Sequence, residues 1–286
     1  TQQELFYTLR AIASFSDGAC YAAVMSSFAR EERSERCYGA FMMLQFGLAA
    51  IALYALPTYL PGMNVTQMYL GFATLNLVGL SLSGLLPDTA ARAEGISLQG
   101  SEWRLLLTLP ALAGLVALCS FEASNVSTDA YIERIALSVG LDDAQIGSSL
   151  GFASLMGVPG ALAILRLGGR FGHAMPVLFG VGVGAASLFL TLNADSYGSF
   201  LLWVSIHSAS WAFTLPYIQS LLADLDPGGA VVTAGGLASG TGGGLGPSAV
   251  ALLLSPGSYH AVLVVGLSAY GICALATLAA ALARRS

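Results

Sequence analysis

The 286-residue chain contains no lysine, and its 11 basic residues are all arginines. Charge of either sign is scarce, at 9% of residues against about 25% in soluble domains. With 56% hydrophobic residues and a mean hydropathy of +0.74, this scarcity argues against a water-soluble domain and for a chain that crosses a bilayer repeatedly. No basic patch is present to meet nucleic acid. The four cysteines, Cys20, Cys37, Cys119 and Cys273, are scattered through apolar segments without a CxxC pair. They read as small buried hydrophobes rather than a zinc site or disulfide framework. No HExxH motif or Ser-His-Asp order occurs, and the glycine-rich stretch near residue 240 lacks the lysine of a phosphate loop. The chain is therefore expected to be no enzyme and to need no cofactor or metal. Apolar and polar residues do not alternate, which excludes a β-barrel.

The apolar runs are long. About 20 residues span a bilayer as a helix, and nine such stretches occur, at 5–28, 38–56, 67–86, 105–138, 145–165, 175–193, 199–222, 230–254 and 259–282. The fourth is too long for one simple span, so its outer part should project beyond the hydrocarbon or tilt. Arg30, Arg33, Arg36, Arg92, Arg104, Arg166, Arg170, Arg284 and Arg285 all follow odd-numbered spans. The positive-inside rule then places the ends of odd spans, and the C-terminus, in the cytoplasm. The longest polar connection, 87–104, separates three spans from six. The chain begins at Thr1, without Met or a signal-peptide leader and close to an apolar run, which reads as the interior of a longer protein.

One stretch departs from apolar monotony. Leu112 to Leu141 starts as a membrane-like run and then acquires Glu122, Asp129, Glu133 and Arg134. At about 100° per residue, Glu122, Val126, Asp129 and Glu133 share a helix face flanked by Asn125 and Ile132. A carboxylate at mid-bilayer is costly and marks a functional position by default. Glu122, near mid-span, is the candidate for binding a proton or cation, set against a structural bond to Ser or Asn on a neighbouring helix. Asp129, Glu133 and Arg134 climb to the outer rim, where they gate or are merely solvated. Asp142 and Asp143 read as a solvated outer turn.

In this topology the chain resembles the major facilitator superfamily of secondary transporters, whose two six-helix bundles are joined by a cytoplasmic loop. The segment Glu31 to Gly39, with Arg33 and Arg36, is similar to the family's acidic-basic turn leading to a glycine in helix five. Arg10 sits where the family often has an arginine in helix four. The loop Gly169-Arg170-Phe171-Gly172-His173 is similar to the Asp-Arg-x-Gly-Arg signature, with Gly169 and His173 replacing the aspartate and the final basic residue. The Gly-Pro signature of drug–proton antiporters is missing from 38–56. The resemblance implies an all-α polytopic membrane protein of the MFS fold, with nine transmembrane helices corresponding to helices four to twelve of a twelve-helix plan. Residues 1–86 would be three helices of the first bundle, 87–104 the cytoplasmic linker and 105–286 the second bundle.

The family's cavity-lining helices map onto 5–28, 105–138 and 199–222, and most ionisable residues inside spans fall there. Arg10 and Asp17, seven apart on one face, read either as a substrate anchor and coupling acid or as a structural pair near the interface. His207 and Trp211, with Tyr217 beyond Pro216, suggest a titratable and aromatic wall, although a lone His is more often a packing residue. Gly236, Gly240 and Gly244 recur every four residues, as do Gly242 and Gly246, a spacing that lets helix backbones approach closely. Pro216 and Pro247 should kink their helices.

The expected function is secondary transport of a small organic solute by alternating access, coupled to protons through Glu122 and Asp17. Arg10, Asn125, His207 and Trp211 would shape the substrate site. The acidic cavity admits an organic cation, and Arg10 admits a carboxylate. A monomer in a bacterial inner membrane is expected. Two alternatives stay open: a non-transporting sensor or assembly factor on a transporter-like scaffold, and an inactive truncated transporter.

Overall fold

In the computed structural model, residues 20–59, 62–83, 102–226, 229–255 and 258–283 are described. They form ten helices and, among the described residues, no strand. The helices are α1 (Cys20–Ala29), α2 (Ser34–Tyr59), α3 (Val65–Ser83), α4 (Glu102–Leu106), α5 (Leu109–Ser138), α6 (Asp143–Leu167), α7 (Ala174–Leu192), α8 (Tyr197–Ala223), α9 (Ala230–Leu253) and α10 (His260–Ala283). Part or all of five of them, Ser34–Leu53 within α2 together with α5, α6, α7 and α10, is long and apolar enough to cross a membrane. The glycine-rich α9, the polar-studded α8 and α3 do not meet the same measure of length and hydropathy, although each follows an expected span closely.

Local chemistry sets the helix ends. The chain breaks after α4, and Thr108 precedes α5, whose first turn carries Pro110, a residue suited to a position where no backbone donor is needed. The long fourth stretch is thus two helices, a break that hydropathy does not register. At 30 residues, α5 still measures about 45 Å at 1.5 Å per residue, longer than the roughly 30 Å hydrocarbon core. It ends in a left-handed turn at Gly140 (φ 89°), where Gly140 N–H donates to Leu137 C=O at 3.0 Å and Leu141 N–H to Ala136 C=O at 3.2 Å. These two bonds are the Schellman arrangement that satisfies the last carbonyls.

Reciprocal capping boxes start α3 (Asn64 with Gln67), α6 (Asp142 with Gln145) and α8 (Ser196 with Ser199). In each, a side-chain oxygen accepts from one of the helix's unpaired N–H groups while the N3 side chain returns a bond. All three lie before odd-numbered spans, at the end opposite the arginines. Asp142 is therefore a cap rather than only a solvated turn.

Packing divides the helices unequally. α5 lies against α9 and α10, α6 against α8, α7 against α8 and α10, and α2 against α6 and α8. The core passes through Phe121, Ile135, Ile164, Leu188, Phe200 and Ile218, all fully or almost fully buried. By contrast, α3 exposes its apolar side chains along its length. Its Thr74, Asn76 and Ser81 turn back to bond the carbonyls of Leu70, Phe72 and Leu77, leaving an apolar outer surface.

Glycines bring backbones together in the packed group. A Cβ on Gly242 or Gly246 would collide with the carbonyl oxygen of Cys119 or Ala123 on α5, whereas one on Gly240 or Gly244 would meet nothing among the described residues. Gly236 faces Ala22 of α1 closely, since a Cβ there would stand 3.3 Å from the Ala22 Cβ. The α5–α9 seam thus uses Gly242 and Gly246, while Gly240 and Gly244 face no neighbour among the described residues. Both stripes share a four-residue spacing, and only the neighbour's position tells them apart.

Candidate functional site

Glu122 lies in the middle of α5 and is only 6% exposed. It accepts a hydrogen bond from Ser239 of α9 and lies within electrostatic reach of Asp129, two turns further along the same helix. Tyr21 of α1 is a second neighbour on which the Glu122 charge acts. The Tyr21 hydroxyl accepts a 2.6 Å hydrogen bond from Nε2 of Gln219 on α8. Groups of α9 and α1 are thus neighbours of Glu122, and Tyr21 in turn holds Gln219 of α8. Among the described residues, no arginine or histidine lies within ion-pair distance of Glu122 or Asp129; the ion pair that is present joins His173 to Asp224.

Asn125, one turn beyond Glu122, faces elsewhere. It is fully buried, its Nδ2 donates to Phe121 C=O at 2.8 Å, and its Oδ1 accepts from the Tyr270 hydroxyl of α10 at 3.1 Å. The Tyr270 ring stacks obliquely on Phe121 with centroids 6.0 Å apart. Gly184 of α7 leaves room for the Tyr270 hydroxyl, because a Cβ there would stand 2.9 Å from that oxygen.

His207 belongs to this second region. It is buried between α8 and α7, with Nδ1 3.3 Å from the Ser187 hydroxyl, and its Nε2 has no partner among the described residues. The structure therefore places Asn125 and His207 inside the packing of α5, α7, α8 and α10, where the Tyr270 hydroxyl held by Asn125 also lies within electrostatic reach of Glu122. Trp211 is half-buried where α8 meets α2, edge-on to Phe46 with centroids 5.9 Å apart. Its indole N–H has no acceptor among the described residues.

Asp129 is exposed, as are Glu133 and Arg134 beyond it. Arg10 and Asp17 lie outside the described residues.

A separate cluster occupies the arginine-rich end. Glu35, in the first turn of α2, is buried with its carboxylate against the Gly168–Gly169 turn, and Arg36 flanks the same turn. From the other side the Tyr217 hydroxyl donates to Gly168 C=O at 3.1 Å. His173 Nδ1 sits 2.8 Å from Asp224 Oδ2 at the end of α8, so the histidine that ends the loop signature still finds a carboxylate. Gly39 packs on Ile164 of α6, and Gly172 adopts the left-handed conformation (φ 66°) that suits glycine. Arg33 and Arg170 are exposed. Asp226 accepts from Val231 N–H at 3.1 Å and so caps the start of α9.

Sequence reasoning passed over Tyr21, Gln219, Ser239 and Tyr270, and took Glu35 only as part of the acidic-basic turn. Tyr21 follows Asp17 by one turn and Gln219 follows Trp211 by two, so both continue faces already marked as polar. Nothing in the sequence singles out Ser239 among the serines.

No curated protein matches the chain significantly. The family model described as Major Facilitator Superfamily matches residues 1–251, far more than half of the sequence. Members of that family are transporters rather than enzymes. With its all-helical architecture and membrane-length apolar helices, the chain belongs to the major facilitator superfamily.

Proposed function

We propose that the chain is a secondary active transporter that moves a small organic solute by alternating access and couples that movement to protons through Glu122. The observation that carries the reading is Glu122 itself. A carboxyl group buried in the middle of a membrane-length helix, with no basic partner among the described residues, is expensive unless it is used. It also stands where α1 meets α5, α8 and α9, so its charge state bears on how these helices fit together. In this reading α1–α3 belong to the first bundle, α5–α10 form the second and 87–104 is the linker, within a plan of nine spans. The arginine-rich end, including the C-terminus, faces the cytoplasm, and the membrane is a bacterial inner membrane. Asp17, ahead of α1 in the sequence, is a second coupling candidate and Arg10 a cavity residue, while the protein works as a monomer.

The test uses full-length protein in liposomes loaded with a pH-sensitive dye, presented with a panel of small organic cations, zwitterions and carboxylates. The transported compound is expected to drive proton movement in the wild type. In Glu122→Gln that proton movement disappears, while exchange of labelled for unlabelled compound persists. Coupling that survives Glu122→Gln removes Glu122 from the mechanism.

A further inference from the structure

The arginine-rich end of the helices carries a cavity of about 360 Å³, within the size range of small-molecule sites. It is lined by Phe171, His173 and Met175 around the start of α7, by Leu221 near the end of α8 and by Ala281 near the end of α10. Two chemistries meet there. Phe171 and Met175 are large apolar side chains left exposed, and Leu221 and Ala281 add further apolar surface. His173 precedes α7 without a side-chain cap, so the N–H groups of the first turn beside the cavity have no acceptor within the helix. Exposed Arg170 adjoins Phe171, and the sequence places Arg284 and Arg285 shortly after Ala281. The carboxylate that His173 faces, Asp224, is engaged by it at 2.8 Å. An occupant that satisfies both chemistries is amphiphilic, with an apolar body and an anionic head. A soluble anion leaves Phe171 and Met175 uncovered, and a zwitterionic lipid brings a cation next to the arginine. Basic pockets between membrane helices on the cytoplasmic side are suited to anionic lipid headgroups.

We propose that this cavity binds an anionic phospholipid, its phosphate toward Arg170 and the first turn of α7 and its acyl chains against Phe171 and Met175. The walls come from α7, α8 and α10 together, so a bound lipid stabilises the junction of these three helices. Binding there involves neither Glu122 nor a transported solute, and it stands or falls independently of proton coupling.

Full-length protein in detergent micelles tests this by titration with dioleoylphosphatidylglycerol, dioleoylphosphatidylcholine or inorganic phosphate. The thermal midpoint is followed together with the number of retained lipids, counted by native mass spectrometry. Phosphatidylglycerol is expected to raise the midpoint saturably and to stay bound, whereas phosphatidylcholine and inorganic phosphate do neither. Arg170→Gln weakens the apparent affinity about fivefold, the share of one arginine near a lipid surface. Arg104→Gln removes the same charge from α4, which does not line the cavity, and leaves the affinity unchanged. Ala281→Phe fills the cavity and abolishes saturation; if that variant does not fold, the two arginine variants decide. Any of five results would overturn the proposal: no saturable phosphatidylglycerol binding, phosphatidylcholine binding as tightly, inorganic phosphate reproducing the shift, equal losses from Arg170→Gln and Arg104→Gln, or saturation that survives in folded Ala281→Phe.

Discussion

Glu122 and Asn125 are three residues apart on one helix, and their surroundings differ in kind. Glu122 has Ser239 of α9 and Tyr21 of α1 as neighbours, Tyr21 coming from ahead of the long polar connection and in turn holding Gln219 of α8. Asn125 meets Tyr270 of α10, and near it Ser210 donates to Gly180 C=O while Ser187 lies beside His207. The second region lies wholly within α5–α10, with side chains clamped between backbones. Among the described residues, α1 is joined to that group by one side-chain hydrogen bond, Tyr21 to Gln219, and by the approach of Ala22 to Gly236 and of Ser26 to Gly229. Contacts from α2 are dense by contrast, running along α6 and onto α8, with the Phe46 ring where a Cβ on Gly157 would stand and Gly39 tight against Ile164, so the sparse set is the α1 contact. Interiors packed at crystal density do not deform gradually, so the sparse set is where relative movement is cheap. Substitutions in the dense set should therefore cost stability, and those in the sparse set should alter transport.

The largest effect is expected at the α5–α9 seam. Gly242→Leu drives a side chain into the Cys119 carbonyl, which neither backbone can yield to without separating the helices. A loss of about 3 kcal/mol or more is expected, read as a strongly lowered thermal midpoint in detergent or as failure to purify as a single species. Gly240→Leu, two residues earlier and about 200° around the helix, is expected to stay within about 0.5 kcal/mol. Equal damage from both would erase the distinction between the two glycine stripes.

A smaller contrast separates two tyrosines. Tyr270→Phe leaves the buried Asn125 Oδ1 without its donor, at an expected cost of about 1–3 kcal/mol, with coupled transport retained in the protein that folds. Tyr21→Phe removes the hydroxyl that accepts from Gln219 and is expected to change apparent substrate affinity and coupling more than the thermal midpoint. If the stability loss falls on Tyr21 and the transport loss on Tyr270, the comparison is inverted and the bundle assignment with it.

Much of this division is invisible in the sequence for a physical reason. Hydropathy reports how a residue feels about water, so it located the helices, and the arginine bias marked one end of them. Glu122 stood out because ionised groups in apolar runs are rare. Tyr21 and Gln219 are 198 positions apart and neutral, and their bond depends on how α1 settles against α8. Asn125 and His207 carry the same polar signature whether they face a cavity or a neighbouring helix. Spacing alone likewise cannot choose between Gly240 and Gly242, and the break before α5 is set by local backbone geometry within an unbroken apolar run.

The smallest expected effect tests whether dense packing, rather than membership of α5–α10, is what makes a contact costly to lose. The His173–Asp224 pair joins α7 to α8 inside the same group of helices, yet Asp224 keeps 30% of its side-chain surface in contact with solvent. Water and salt weaken an ion pair so placed, and exposed pairs contribute roughly 0–1 kcal/mol. His173→Gln keeps a donor for Asp224 and is expected to lower the thermal midpoint only slightly, by an amount that shrinks further in high salt. His173→Arg, which restores the basic residue of the family's loop signature, should be neutral or slightly stabilising. A loss comparable to that of Tyr270→Phe would mean that the loop at 168–173 bears on the whole bundle, and that the cost of breaking a contact follows its position in the fold more than its burial.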